Sequence, residues 1–222
     1  MEFSFVVTKM NKDYIFDYIE LCRKYNAEAG IKIVSAVGGE KRFDKMCLNE
    51  REILDFYKSV IGYIIQKDYV NDKNLQTILG YRPIPRKGCS AYSMKSFSIL
   101  PEGSILRCHS IISKQCNQIA TVKNKQISIR NQEKIDDESN IFSVDRKIFC
   151  KTCEYRHFCT GICSAEVYNC FDETFYKPVS CEWKKILIAF YLWDYERNQT
   201  SSVWEQIYNK INIRLSELYE KH

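Results

Sequence analysis

The sequence predicts an α/β fold in two parts: strand and helix units that end a larger parallel sheet, then a cysteine-rich half containing a β-hairpin and leading into C-terminal helices. Three observations predict it. Two apolar runs, residues 3–8 and 31–37, each lead toward a stretch of helical period. Nine of the eleven cysteines lie beyond position 88. Asn49 with Glu52, and Ser202 with Glu205, are capping-box signatures at the start of apolar helical patterns.

Phe3 to Thr8 is the first strand, and Asn11 is the expected cap of a helix that places Ile15, Tyr18, Ile19 and Cys22 on one face. Ile31 to Val37 is the second strand, ending in Gly38 and Gly39. The helix capped by Asn49 should bury Ile53, Phe56, Val60 and Ile64. Strands apolar on both faces fit a parallel sheet, and two units are too few to bury one. Residues 1–70 are therefore expected to end a larger domain whose beginning is missing. Pro83 and Pro85 break any helix and mark the boundary.

Beyond it, Ser96 to Leu100, Pro101-Glu102-Gly103 and Ser104 to Arg107 read as strand, turn and strand, with Gly103 supplying a positive φ. Residues 117–147 are polar and read as loop with one short strand over Gln126 to Ile129. From Ser180 the helical period returns with Trp183, Leu187, Phe190 and Tyr191. The final helix, after Ser202, carries Trp204, Ile207, Ile211, Leu215 and Leu218.

Composition narrows the class. At 45% hydrophobic and 14% aromatic, the 222 residues bury a core. The longest apolar run, Ile186 to Trp193, is eight residues against the roughly 20 a membrane span needs. No basic stretch precedes an apolar core at the N-terminus, so a cytoplasmic protein is expected, without a membrane partner. The charge of +5, from 33 basic and 28 acidic residues, is spread along the chain, and nucleic-acid binding is not indicated. A modest positive field would help attract an acidic peptide or a reduced electron carrier.

Eleven cysteines in such a chain argue for metal ligation rather than disulfides. Cys150, Cys153, Cys159 and Cys163 follow C-x2-C-x5-C-x3-C, with Cys181 seventeen residues later. Upstream, Cys89 is separated by thirteen residues from Gly103, which precedes Cys108 by four more. Such spacings wrap a compact centre, and zinc sites remain open on spacing alone. Against zinc stand the single C-x2-C and three histidines without partner spacing. The interleaved run has the character of a ferredoxin, whose last closely spaced cysteine reaches a second cluster.

The order Cys89, Gly103, Cys108, Cys150, Cys153, Cys159, Cys163, Cys181 resembles the seven-cysteine pattern of the SPASM domain of radical S-adenosylmethionine enzymes. FSILPEGSILRC over Phe97 to Cys108 and Cys159-Thr160-Gly161-Ile162-Cys163 resemble its hairpin and its C-x-G-x-C. The resemblance covers residues 89–181. It implies two auxiliary 4Fe-4S clusters, the outer on Cys150, Cys153, Cys159 and Cys181 and the inner on Cys89, Cys108 and Cys163. Residues 1–70, with Val-Val-Thr-x-x-Asn at Val6 to Asn11, look like the last strand and helix units of the family's partial (β/α) barrel. The implied organisation is a barrel fragment over 1–80, a SPASM domain over 81–195 and an amphipathic helix over 196–222.

The resemblance is incomplete in ways that bear on activity. The C-x3-C-x2-C that holds the radical-generating cluster is absent: Cys159 and Cys163 have the first spacing, but Glu166 takes the third position. The expectation is thus the auxiliary-cluster part of a peptide or protein maturase, giving electron transfer and substrate placement. S-adenosylmethionine would bind only if a separate chain supplied the N-terminal half, and reduced flavodoxin or ferredoxin would supply electrons. His109 stands where anaerobic sulfatase maturases carry an aspartate. Two cubanes need eight ligands; Cys116 or an open iron fills the last position, with Cys170 a weaker candidate. Cys22 reads as a buried structural thiol. His109 and His157 read as hydrogen-bonding or surface groups. The competing class is a non-enzymatic scaffold, bearing iron-sulfur or zinc, that recognises a peptide or partner protein.

Overall fold

The computed structural model describes residues 1–34, 43–79, 96–110, 117–130, 133, 144–146, 148–159, 163, 179–194 and 202–220. Helices and strands are mixed, as an α/β protein requires. The chain divides into two units: Met1–Ser35, Arg42–Pro83 and Pro178–His222 form the first, and Ala36–Lys41 with Ile84–Lys177 the second.

In the first unit, β1 (Glu2–Val7) and β2 (Glu28–Ile33) pair in parallel, from Glu2 opposite Glu28 to Val7 opposite Ile33. Helix α1 (Ile15–Lys24) connects them and buries Ile15, Tyr18, Ile19 and Cys22, the face its spacing selects. The Tyr18 hydroxyl lies 2.7 Å from the Phe3 carbonyl and 3.0 Å from that of Gly30, joining helix to both strands. The expectation of strands apolar on both faces is corrected. Phe3 and Phe5 are half-buried and Val7 fully, whereas Glu2, Ser4 and Val6 are exposed, and on β2 Glu28 and Lys32 continue that open polar face.

Asn11 is a second correction. Its side-chain oxygen accepts from the Thr8 N–H at 2.7 Å and the Thr8 hydroxyl at 2.9 Å, while its amide donates to the Val6 carbonyl. It folds back onto the strand and makes no side-chain cap for the 3-10 turn Lys12–Tyr14.

After the single turn α2 (Phe43–Met46), helix α3 (Glu50–Gln66) opens with the capping box complete: Asn49 accepts from Glu52 N–H and Glu52 from Asn49 N–H, both at 2.8 Å. Its buried arc adds Leu54, Tyr57 and Ile61 to the expected four, because the helix lies in a core shared with α1, α5 (Cys181–Ala189) and α6 (Val203–Tyr219). Tyr57 stacks on Trp183 with ring centres 3.9 Å apart and planes 13° from parallel. The segment after α3 is tied to that core by Trp204 Nε1 donating to Val70 O and the Tyr191 hydroxyl to Leu79 O, each at 3.0 Å. Helix α6 begins at its own capping box, Ser202 with Glu205.

The second unit contains an antiparallel sheet ordered β3 (Ser98–Ile99), β4 (Ser104–Leu106), β5 (Gln118–Lys123), β6 (Gln126–Ile129). Among its described residues, Ile105, Ile119 and Ala120 form a buried apolar cluster, with Val122 packed against them. Strand β5 falls where a loop was expected. Its turn, Asn124-Lys125, has both residues at positive φ without a glycine to announce it. Helix α4 (Ile148–Lys151) follows. Among the described residues no helix is long and apolar enough to cross a membrane.

Candidate metal centre

The hairpin β3–β4 delivers Cys108. Gly103, at φ +89°, donates its N–H to Leu100 O at 2.9 Å, and Leu100 donates back to Ser104 O at 2.8 Å. A β-carbon on Gly103 would stand 2.3 Å from the Val122 carbonyl oxygen, so the close approach of β5 requires glycine. Past β4, Asn117 grips the cysteine: the Cys108 N–H donates to Asn117 Oδ1 at 2.9 Å and Asn117 Nδ2 donates to Cys108 O at 2.6 Å. The Arg107 N–H donates to Asn117 O at 2.9 Å. Asn117 is buried, and this amide clamp fixes the backbone on both sides of the thiol.

Cys150 lies in the single turn of α4 and Cys153 follows on a tight turn, its N–H donating to Cys150 O at 3.0 Å. Arg156 N–H donates to Cys153 O at 3.2 Å, and Cys159 N–H to Tyr155 O at 2.9 Å. Successive turns thus carry three cysteines along one short segment. The Arg156 guanidinium reaches Cys153 O at 3.4 Å and Asp145 at 3.3 Å, tying that segment to the 3-10 turn Val144–Arg146. With Asp145 largely exposed, this ion pair orients more than it stabilises.

Cys163 is exposed, and Cys108, Cys150, Cys153, Cys159 and Cys181 are partly so. None of the described cysteines is joined to another in a disulfide. Cys181 opens α5 and belongs to the first unit, whereas the sequence reading grouped it, through residue 195, with the cysteine-rich half. Beside it the buried Glu182 carboxylate pairs with Arg214 at 2.7 Å and Lys185 at 3.1 Å, linking the start of α5 to α6. His109 and His157 are exposed. Cys89, Cys116 and Cys170 lie outside the described residues, as do Gly161, Pro83 and Pro85.

Among the described residues, no three His, Cys, Asp or Glu side chains gather as a metal-binding group. The turns bring Cys150, Cys153 and Cys159 into sequence along one segment without closing a cage. The donor set itself suits a soft-metal centre: thiols on short turns, with protein amides and a guanidinium holding the intervening backbone. Sequence reasoning missed Asn117 and Arg156. Their roles depend on partners that only the fold supplies, and nothing in their spacing marks them.

In the first unit, Cys22 is wholly buried, and burial raises its pKa although the Tyr18 hydroxyl partly offsets the rise. Cys47 is buried as well, its sulfur 3.3 Å from Leu48 O. A cleft between the start of α1 and α3, lined by Lys12, Asp13, Phe16, Glu52, Asp55 and Ser59, carries charges of both signs. Comparison of the chain with protein-family models and with curated proteins returns no match.

Proposed function

We propose that this chain is the auxiliary iron-sulfur part of a radical S-adenosylmethionine enzyme that modifies a peptide or protein, acting in electron transfer and substrate placement. The observation that carries the reading is the ordered cysteine series joined to a hairpin whose glycine, at φ +89°, stands five positions before Cys108. Cys150, Cys153, Cys159 and Cys181 would hold the outer cluster, and Cys89, Cys108 and Cys163 the inner one. Cys116 or an open iron would complete the inner shell. Clusters on these thiolates supply one-electron chemistry at a potential set by burial and by amides directed at sulfur. The chain's own part is to hold the thiols: Asn117 fixes the backbone at Cys108, and Arg156 steadies the turn after Cys153.

The open polar face of β1 and β2, with Glu2, Ser4, Glu28 and Lys32, supports the further reading of the first unit as the last part of a partial (β/α) barrel. The C-x3-C-x2-C that S-adenosylmethionine requires would come from outside these residues, and reduced flavodoxin or ferredoxin would serve as donor, in a cytoplasmic setting.

Anaerobic reconstitution followed by iron and sulfide analysis tests the proposal. About eight irons per chain are expected, with Cys108→Ser and Cys153→Ser each removing about half. About one or two zincs without sulfide would replace this reading with the scaffold that recognises a peptide or partner.

A further inference from the structure

Among the described residues, β6 ends the strand order of the second unit's sheet, and all four of its side chains are exposed. The pairing determines which backbone groups it offers. Lys123 and Gln126 flank a two-residue turn in which Asn124 and Lys125 have φ of 50° and 64°. That is the type I′ geometry, whose closing pair exchanges both backbone hydrogen bonds. At the other end, the Arg130 N–H donates to Ile119 O at 2.8 Å. Bonded and non-bonded pairs alternate in an antiparallel ladder. Gln126, Ser128 and Arg130 therefore turn their N–H and C=O toward β5, while Ile127 and Ile129 turn theirs outward.

Those two residues are 66% and 70% exposed. Edge strands are usually blunted by charge, proline or a bulge. β6 has no charge or proline and pairs with β5 in unbroken register. Its apolar side chains extend the row that runs from Ile99 through Ile105 and Ala120 to Ile129. Basic charge stands at the turn end instead, on the exposed Lys123 and Lys125, whereas Arg130 and Glu133 of opposite sign follow the other end.

We propose that the edge of β6 is a docking site for an extended peptide with alternating apolar residues and one acidic end, which adds to the sheet as a further strand. The outward amides and carbonyls of Ile127 and Ile129 supply the ladder, the two isoleucines an apolar face, and the basic turn the orientation. The inference rests on the maturase reading only in taking the occupant to be the substrate peptide; the edge itself requires no metal.

The test uses the full chain and a labelled synthetic peptide of alternating valine and threonine with paired aspartates at one end. Binding is read by fluorescence anisotropy, and protection of the Ile127 and Ile129 amides by hydrogen exchange. Proline at 127 removes an N–H that the β5–β6 ladder does not use, so Ile127→Pro keeps the hairpin and blocks the added strand. The variant should weaken binding by about tenfold or more, the loss of one to two backbone hydrogen bonds, with iron uptake on reconstitution unchanged. A peptide N-methylated at alternate amides makes the same test from the ligand's side should the variant not fold. Equal binding by variant and parent together with equal binding by methylated and plain peptide, or unprotected 127 and 129 amides at saturation, would overturn the proposal. So would protection that rises with protein concentration in the absence of peptide, which identifies a second copy as the occupant. A chain that takes up iron but not the peptide loses the docking site and keeps the cluster reading; the reverse result does the opposite.

Discussion

Replacing Gly103 by alanine asks whether Cys108 is positioned through the sheet as well as through its own turn. At φ +89° a β-carbon costs roughly 1–2 kcal/mol in the backbone alone. The same atom would stand 2.3 Å from the Val122 carbonyl oxygen, so β5 has to retreat. Val122 also donates its N–H to Gly103 O at 2.7 Å, and the retreat sacrifices that bond, about 1 kcal/mol. The sum, about 2–3 kcal/mol, corresponds to a roughly 30- to 150-fold rise in local opening. Hydrogen exchange under reducing, anaerobic conditions reads it residue by residue. Val122, Arg107 and Cys108 amides should exchange faster by that factor, the last two because their bonds to Asn117 depend on the β4–β5 pairing. Amides within α3 serve as the internal control. Unchanged protection at Val122 in the alanine variant would refute the argument, because the clash and the shared bond are its whole basis.

Other outcomes follow from the first unit. Arg214→Ala removes the guanidinium that lies 2.7 Å from the buried Glu182 carboxylate, and should cost about 3 kcal/mol, the low end for breaking a buried pair, as read by urea denaturation; Glu182→Gln should cost less. Stability should also fall in alkali. Tyr63 is pushed up to about 12, chiefly by donating its hydroxyl to Glu20, and burial raises Tyr18 and Tyr57 further. Unfolded tyrosine titrates near about 10, so above that pH the unfolded chain releases protons that the folded chain keeps. These contributions are complete below about pH 10 and are lost as the pH rises through the folded values. Denaturation midpoints across that range check it, and Tyr63→Phe should remove its share of the decline.

Local chemistry made much of the first unit legible. Asn49-x-x-Glu52 and Ser202-x-x-Glu205 announce helices whose caps close as written, and the spacing of Ile15, Tyr18, Ile19 and Cys22 selects the face that packs. Legibility ends where a residue's partner is remote or unconventional. Asn11 has the chemistry of a cap, but the Thr8 hydroxyl and the Val6 carbonyl lie within reach and win its side chain. β5 escapes notice because a short, mostly polar segment carries little periodicity, and Lys125 at φ 64° occupies a position where glycine is the usual signal. At the cysteines, sequence spacing groups neighbours such as Cys150 and Cys153, which share a turn. Which distant thiols join them depends on tertiary placement, to which spacing is blind.

The burial of Cys22 has a consequence for how a chain with eleven cysteines acquires metal faithfully. Iron and zinc bind thiolate, and the α1 thiol is both sealed from solvent and biased toward its protonated form. Once the first unit has folded, that sulfur is withdrawn from competition, so an incoming ion meets fewer wrong partners than the composition suggests. Order of assembly then matters: metal offered to an unfolded chain would find Cys22 as available as any other ligand, and mispairing should rise accordingly.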